Sequence, residues 1–144
     1  MVKTPPQPKQ SFKPYLTHIS KLAKTKKLQR KLRIVIGNTS CDLDSCIGAL
    51  VLAYYYSRVG GKEFLPVVNC RREDFRLNLE ANLHLITDWK LNINDLVFVD
   101  ELRNLYKPSQ IKETVLIDHN VLDISQQDMG KNVTRIIDHH VDMN

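Results

Sequence analysis

Six acidic and imidazole side chains, in three short stretches of the chain, have the chemistry of a metal site. They are Asp42, Asp44, Asp118, Asp138, His139 and His140. Carboxylates gathered at one point repel one another unless a cation lies among them or protons are taken up. With imidazoles added, such a set suits Mn²⁺ or Mg²⁺ better than a structural zinc ion, for which cysteine is expected. The alternative is that the aspartates cap helices and the histidines are hydrogen-bonded within the core.

Five short apolar runs predict the strands that would carry these residues. In chain order they are residues 32–37 (LRIVIG), 64–69 (FLPVVN), 96–100 (LVFVD), 114–118 (TVLID) and 133–138 (VTRIID). Continuous apolar character rich in β-branched residues is typical of buried parallel strands. Each run leads into polar or acidic residues, and the carboxyl ends of parallel strands lie at one edge of the sheet, where ligands bind.

Three segments between these runs predict helices. Residues 15–28 and 73–89 have apolar residues at helical spacing, and residues 45–58 are apolar over most of the circumference. The apolar stripe of the 73–89 segment consists of Phe75, Leu79, Leu83 and Ile86. Alternating strands and helices predict one α/β domain, with a mainly parallel five-stranded sheet flanked by helices.

The net charge of +5 comes from a basic leader. Residues 1–33 contain ten lysines and arginines and no acid, whereas residues 34–144 carry a net charge of −5. Three of the six prolines lie in residues 1–10, so we predict a disordered leader over residues 1–14. We interpret KTKKLQRK (24–31) as a solvated helix end, with a nuclear import signal or an anion-attracting patch as alternatives. We expect no specific nucleic-acid binding, because these charges precede an acidic domain.

Cysteine content and hydropathy predict a cytoplasmic protein. The three cysteines, Cys41, Cys46 and Cys70, lack CxxC spacing, and we interpret them as free thiols that pack as small residues. The longest apolar run has about ten residues, against the roughly twenty that cross a bilayer, so we expect no membrane span. No apolar run follows the basic start as it would in a signal peptide. A nuclear location is the main alternative, and a mitochondrial presequence fits the lysine-rich and proline-rich composition less well.

Three ordered motifs resemble those of the DHH phosphoesterase superfamily, which is named for the third. They are GNTSCDLDS, LIDHN and IIDHH. The longer stretches VIGNTSCDLDSCIGALVLAYY and FLPVVNCRREDFRL are similar to the exopolyphosphatase and prune branch. The resemblance covers residues 15–144 and implies a Rossmann-like DHH domain. It also implies a two-metal hydrolase that cleaves phosphoanhydride bonds of short polyphosphate or pyrophosphate, with cyclic nucleotide phosphodiesters as further candidates.

The resemblance implies roles for the matching residues at the metals. Asp42 would bind one metal ion and Asp44 the other. Asp118 would bridge the two ions, and His139 would complete the ligand set of the second. Two cations that share a carboxylate can activate a bridging water and neutralise charge on phosphoryl oxygens.

The resemblance also implies roles nearer the substrate. His140 would face its phosphate, and Asp138 would orient the histidine pair. Asn38 stands where related pyrophosphatases have a histidine ligand, as it does in the exopolyphosphatase and prune branch, and is better suited to a polar or phosphate contact. Vertebrate prune proteins have arginine at the position of His140, so this chain keeps the enzyme-like motif.

Two arginines after the second predicted strand are candidates for binding further phosphates. Arg71 and Arg72 could pair with phosphoryl oxygens, and solvation of a loop is an equal alternative.

The family pattern continues beyond the third motif with another aspartate ligand and a smaller, substrate-clamping domain, and the sequence has neither. We therefore expect residues 15–144 to be a partial catalytic domain that is weak or inactive by itself. The alternative is a non-catalytic module that binds metal or phosphate and regulates a relative or partner.

Overall fold

The computed structural model describes residues 11–28 and 32–141. The strands are β1 (Leu32–Ile36), β2 (Leu65–Val68), β3 (Val97–Phe98), β4 (Ile111–Ile117) and β5 (Val133–Ile137). The helices are α1 (Phe12–Lys24), α2 (Leu43–Val59), α3 (Arg72–Phe75), α4 (Leu79–Asn82) and α5 (Val99–Leu105). Wider π-type turns continue α4 over Leu83–Asp88, and short 3₁₀ segments span Ile93–Asp95, Pro108–Gln110 and Ile124–Asn132.

The five strands form one parallel sheet in the order β3, β2, β1, β4, β5. This confirms the predicted α/β class and the five-stranded parallel sheet. β2 and β3 lie in turn on one side of β1, and β4 and β5 lie in turn on its other side. Between β1 and β4 the strand order therefore reverses, and in open sheets of this kind that point is where ligands bind.

Every residue of the central strand β1 and of its neighbour β2 is buried in the core. On one face of the sheet, Ala49 and Ala53 of α2 pack with Val35 of β1 and Val115 of β4. The small alanine side chains let the helix lie close to the strands. Leu50 of α2 belongs to the larger apolar cluster, which also contains Leu16 of α1. The strand ends that carry the candidate site therefore project from a densely packed centre.

The third predicted strand is much shorter than the sequence suggested. The apolar run was predicted to remain extended through Asp100, but helix α5 begins at Val99. Glu101 accepts a hydrogen bond from the backbone N–H of Phe98 at 3.1 Å, which satisfies a free donor at the start of this helix. Asp100 therefore lies in the first turn of a helix instead of at the end of a strand.

The helix predicted over residues 73–89 is divided into α3 and α4. Asn78 accepts a hydrogen bond from the backbone N–H of Ala81 at 3.2 Å, the bond typical of a residue that starts a new helix. After this break the π-type turns rotate the apolar face, so Leu85 is fully buried while Leu83 is 55% exposed. The predicted apolar stripe is thus wrong at Leu83.

The first helix begins before the predicted boundary of the leader. α1 starts at Phe12, so the end of the leader predicted over residues 1–14 is helical. Tyr15, Leu16 and Ile19 are buried, as the helical spacing indicated. Residues 1–10 and 29–31, which include most of the predicted leader and part of the basic KTKKLQRK segment, lie outside the described residues. None of the described helices has the length and apolar character needed to cross a bilayer.

Candidate metal centre

Asp118 occupies the first position after β4, with its side chain buried at the end of the sheet. Its backbone has a φ of 62°, in the left-handed region that a residue with a side chain seldom adopts. The backbone N–H donates to the carbonyl oxygen of Ile137 at 2.8 Å, which links the ends of β4 and β5. The carboxylate is 8% exposed. The strand ends therefore fix this carboxylate in a single place.

Two residues of the β1–α2 connection hold one oxygen of Asp118. Oδ2 accepts hydrogen bonds from Ser45 Oγ at 2.8 Å and from Asn38 Nδ2 at 3.1 Å. The Asn38 amide also donates to the backbone carbonyl of Asp118 at 3.0 Å. A Cβ atom at Gly37 would lie 2.7 Å from the Ser45 Cβ, so glycine at this position allows the first turn of α2 to approach the strand end. This close approach places Ser45 against Asp118.

The other oxygen of Asp118 faces the histidine pair. His139 Nε2 lies 2.9 Å from Oδ1, and His140 Nδ1 lies 3.9 Å from the same atom. Asp118, Asp138, His139 and His140 each offer one ligand atom such that all four atoms lie within 4.8 Å of one another. The structure thus brings two of the three predicted stretches together around one point.

Asp138 and His140 form a hydrogen-bonded pair beside Asp118. Asp138 Oδ1 lies 2.5 Å from His140 Nδ1, and Asp138 Oδ2 accepts from Asn120 Nδ2 at 2.7 Å. The hydrogen bond to Asp138 raises the pKa of His140, with nearby Asp118 and Asp42 adding to the effect. Burial raises the pKa of Asp138, but the hydrogen bonds from His140 and Asn120 outweigh burial and lower that pKa below its usual value. The pair therefore favours a charged imidazolium next to a carboxylate.

Asp42 and Asp44 lie outside the four-residue group. Asp42 is the N-cap of α2 and accepts from the backbone N–H of Ser45 at 3.2 Å, and Asp44 lies in the first turn of the same helix. Both are exposed. Asp42 is close enough to His140 to help raise its pKa. The capping alternative thus holds for Asp42.

The two candidate phosphate-binding arginines make different contacts. Arg71 is exposed and pairs with Asp74 at 2.7 Å and Glu73 at 2.7 Å. Arg72 forms a salt bridge with Glu101, and its guanidinium lies over the ring of Phe98, 4.7 Å from the ring centroid. It also donates to the backbone carbonyls of Ile93 and Leu96, in the segment that precedes β3. The structure gives Arg72 a role in holding α3 and α5 together, and it leaves the Arg71 guanidinium at the surface.

Two supporting residues were not predicted from the sequence. Ser45 follows the DLD motif directly, but its bond to Asp118 depends on an approach between segments 73 residues apart. Asn120 follows Asp118 by two residues and reaches across to Asp138 and to the Val141 carbonyl at 2.9 Å. His119 lies between Asp118 and Asn120 in the sequence, and its Nδ1 is 2.9 Å from the Ile117 carbonyl oxygen. Its Nε2 has no hydrogen-bond partner within the described part of the chain.

The donor set fits a divalent metal ion. The carboxylates of Asp118 and Asp138 accept hydrogen bonds from serine, asparagine and histidine side chains. Serine and asparagine are neutral, so among these partners only the imidazoles can compensate the negative charge of the two carboxylates. A cation with oxygen and imidazole preference, such as Mn²⁺, suits these groups. Ser45 holds the carboxylate of Asp118 and Asn120 that of Asp138, as outer hydrogen-bonding groups do for ligands in metal sites.

Relatives with similar sequences include proteins named as exopolyphosphatases. The chain is 34% identical over 114 residues to exopolyphosphatase PRUNE1 of Rattus norvegicus and 35% identical over 116 residues to that of Homo sapiens; each match covers 76% of this chain and 25% of the relative. It is 36% identical over 110 residues to a putative exopolyphosphatase of Schizosaccharomyces pombe, which covers 75% of this chain and 28% of the relative.

No family model matches the chain. The chain spans about a quarter of the length of these relatives. The matched segments are 34–36% identical and include about three quarters of this chain. This similarity supports a relationship to prune-type exopolyphosphatases.

Proposed function

We propose that the chain forms the metal-binding part of a phosphohydrolase of the exopolyphosphatase and prune type. The observation that carries this proposal is the convergence of Asp118, Asp138, His139 and His140 at the carboxyl ends of β4 and β5. The sequence relationship to proteins named exopolyphosphatase supports the same reaction class. The expected substrates are short polyphosphates or pyrophosphate.

The proposed metal ligands are Asp42, Asp44, Asp118 and His139. His139 Nε2 lies 2.9 Å from Asp118 Oδ1. Asp42 is the N-cap of α2, Asp44 lies in the first turn of that helix, and both side chains are exposed. Mn²⁺ or Mg²⁺ held there would supply Lewis-acid activation of a water molecule and of the phosphoryl group.

His140, Asp138 and Asn38 are the proposed groups nearest the substrate. The hydrogen bond that His140 Nδ1 donates to Asp138 favours the protonated form of His140, and a protonated imidazole can donate to a phosphate oxygen. Asp138 is itself held by Asn120, so it fixes the orientation of the His140 ring. The Asn38 amide is committed to Asp118, which supports a role in positioning the carboxylate as well as in contacting phosphate.

Arg71 is the stronger of the two proposed phosphate contacts. Its partners Glu73 and Asp74 are surface residues, and exposed pairs of this kind are weak enough to exchange for a phosphate. Arg72 would have to give up a salt bridge, a ring contact and two carbonyl hydrogen bonds to reach substrate.

The test is Mn²⁺-dependent phosphate release from tripolyphosphate. We would assay the 144-residue chain and a chimera in which it replaces the matching segment of the Schizosaccharomyces pombe relative. The chimera should release phosphate and lose this activity with a chelator or with His140→Ala, whereas the chain alone should be slow, because it covers a quarter of such proteins. A matched change at a distant histidine, His84→Ala, should leave activity unchanged.

The second candidate function is a non-catalytic metal-binding module. The observation in its favour is that two of the four proposed ligands, Asp42 and Asp44, lie outside the group that the structure brings together. A folded chimera that binds Mn²⁺ and releases no phosphate would support the module and contradict the hydrolase.

A further inference from the structure

A buried pair of side-chain amides lies beside the β1–α2 connection, outside the candidate metal centre. Asn69, directly after β2, is 4% exposed, and Gln126, in the 3₁₀ segment Ile124–Asn132, is 5% exposed. Gln126 Nε2 donates to Asn69 Oδ1 at 2.6 Å, and Asn69 Nδ2 donates to Gln126 Oε1 at 3.2 Å. The two amides therefore hold each other in one orientation.

Asn69 connects this pair to the peptide between Gly37 and Asn38. Its Nδ2 donates to the Gly37 carbonyl oxygen at 2.8 Å. The N–H of the same peptide, which belongs to Asn38, donates to Ser45 Oγ at 3.2 Å. Because a peptide unit is planar, the hydrogen bond from Asn69 sets the direction in which this N–H points. Ser45 Oγ in turn donates to Asp118 Oδ2 at 2.8 Å, so a continuous series of hydrogen bonds leads from the amide pair to this carboxylate.

The amide pair is suited to orienting other groups. Asn69 Nδ2 has two hydrogens, and the Gly37 carbonyl and Gln126 accept one each. Gln126 is itself held by its backbone N–H, which donates to the Asp123 carbonyl at 2.8 Å, and by the burial of Met129 in the same 3₁₀ segment. Buried amides whose hydrogen bonds are made in this way restrict the groups that they contact to one arrangement.

We propose that Asn69 and Gln126 are positioning residues for Asp118, acting through the Gly37–Asn38 peptide and Ser45. This inference rests on the proposed metal centre, in which Asp118 is a ligand. Groups that orient a metal ligand affect metal affinity without contacting the ion. Loss of the amide pair should let the peptide rotate and weaken the hydrogen bonds at Ser45, while the Asp118 carboxylate itself is retained.

The experiment compares Gln126→Met with the wild-type chain. Methionine keeps the length of the side chain and removes both hydrogen bonds to Asn69. In nitrogen-15 NMR spectra recorded without metal, the backbone amide proton of Asn38 should move upfield and exchange with solvent faster than in the wild type. Mn²⁺ affinity measured by calorimetry should fall by about 10-fold.

Tyr106→Phe is the matched control, because it also removes a buried hydrogen bond, from the Tyr106 hydroxyl to the Ala23 carbonyl at 2.7 Å. It should lower stability and leave the Asn38 amide and the Mn²⁺ affinity unchanged. Asn69→Ser, whose shorter side chain cannot contact both Gly37 and Gln126, takes the place of Gln126→Met if that variant does not fold. The same results are expected for it.

The measurement without metal separates this inference from the proposed function. An unchanged Asn38 amide in Gln126→Met would overturn the inference, whatever the wild type binds. Equal changes in Gln126→Met and Tyr106→Phe would also overturn it, because they would follow from lost stability alone. A displaced Asn38 amide in a chain whose wild type binds no Mn²⁺ would support the link to the peptide and contradict the proposed metal centre.

Discussion

The two edges of the sheet are built differently. At one edge, both residues of β3 are buried, and the ring of Phe98 lies between Phe75 at 5.3 Å and the Arg72 guanidinium at 4.7 Å. At the other edge, none of the five residues of β5 is buried, and Ile136 and Ile137 are each 44% exposed. The short edge is closed by packing and a salt bridge, whereas the longer edge is open on both faces.

The candidate metal centre lies between a packed centre and the open edge. Asp118, on the packed side, is 8% exposed and held by Ser45 and Asn38. His139 and His140, which follow β5, have side chains that are 73% and 52% exposed. Much of the centre's geometry is therefore fixed by the buried carboxylate, and the imidazoles approach it from a less supported strand.

Loss of packing at the closed edge should destabilise the protein more than any other change considered below. Phe98→Ala should reduce the free energy of unfolding by about 3–5 kcal/mol, because it removes a fully buried ring and leaves a cavity. Urea denaturation followed by circular dichroism measures this change. A loss below about 1 kcal/mol would show that the β3 edge is not closed by packing.

The next effect concerns the support of Asp118 from the packed side. Ser45→Ala removes the 2.8 Å hydrogen bond to Oδ2 and should weaken Mn²⁺ binding by about 10–100-fold, as is usual for groups that orient a metal ligand. Isothermal titration calorimetry measures the affinity. Ser57→Ala, the same change at a serine that binds the Ala53 carbonyl and the Phe64 N–H, is the control and should leave Mn²⁺ binding unchanged.

A smaller effect is expected at the salt bridge of the closed edge. Burial raises the pKa of Glu101, but hydrogen bonds from Arg72 and the Phe98 N–H outweigh burial and lower it. A carboxyl whose pKa is lower in the folded state stabilises the protein above its unfolded pKa, and this stabilisation is lost as the pH falls through the folded pKa.

Glu101→Gln should therefore cost about 1 kcal/mol at neutral pH, and the difference from the wild type should shrink below about pH 4. Thermal unfolding across this pH range gives the comparison. Glu73→Gln, at a pair whose side chains are 60% and 71% exposed, is the matched control and should change stability little at any pH. An identical pH profile for Glu101→Gln and the wild type would contradict the assigned role of Glu101.

The smallest effect is expected at the open edge. Ile136→Thr keeps a β-branched residue in β5 and should change the free energy of unfolding by about 0.5 kcal/mol or less, because the side chain is already half exposed. The same denaturation measurement applies. A loss approaching that of Phe98→Ala would mean that β5 is packed as firmly as β3.

The sequence predicted the elements whose signals are local. Continuous β-branched runs marked β1, β2, β4 and β5, and the acidic residues after the strands placed Asp118 and Asp138 at one edge of the sheet. The end of β3 was missed because Val99 continues the apolar run, although Asp100 and Glu101 are typical of the first turn of a helix. The break in the second long helix was also signalled locally, since Asn78 is a favoured N-cap residue.

Other features depend on contacts between distant segments, and the local patterns did not indicate them. The bond between Ser45 and Asp118 requires the close approach at Gly37, and the bond between Asn120 and Asp138 requires β4 and β5 to end side by side. The spacing of residues along the sequence carries no information about either contact. The prediction that the cysteines act as small packing residues fits the burial of Cys41 and Cys46 but gave no indication that their sulfur atoms lie 3.3 Å apart.

Mn²⁺ titration of Asp118→Asn tests whether the Asp118 carboxylate is the fixed point of a metal centre. Asparagine keeps the size of the side chain and removes its charge, so Mn²⁺ binding measured by calorimetry should be lost while the fold is retained. Asp128→Asn, which removes the same charge from a surface acid paired with Arg103, should bind Mn²⁺ as the wild type does. Equal Mn²⁺ affinity in Asp118→Asn and the wild type would show that the Asp118 carboxylate does not hold the ion.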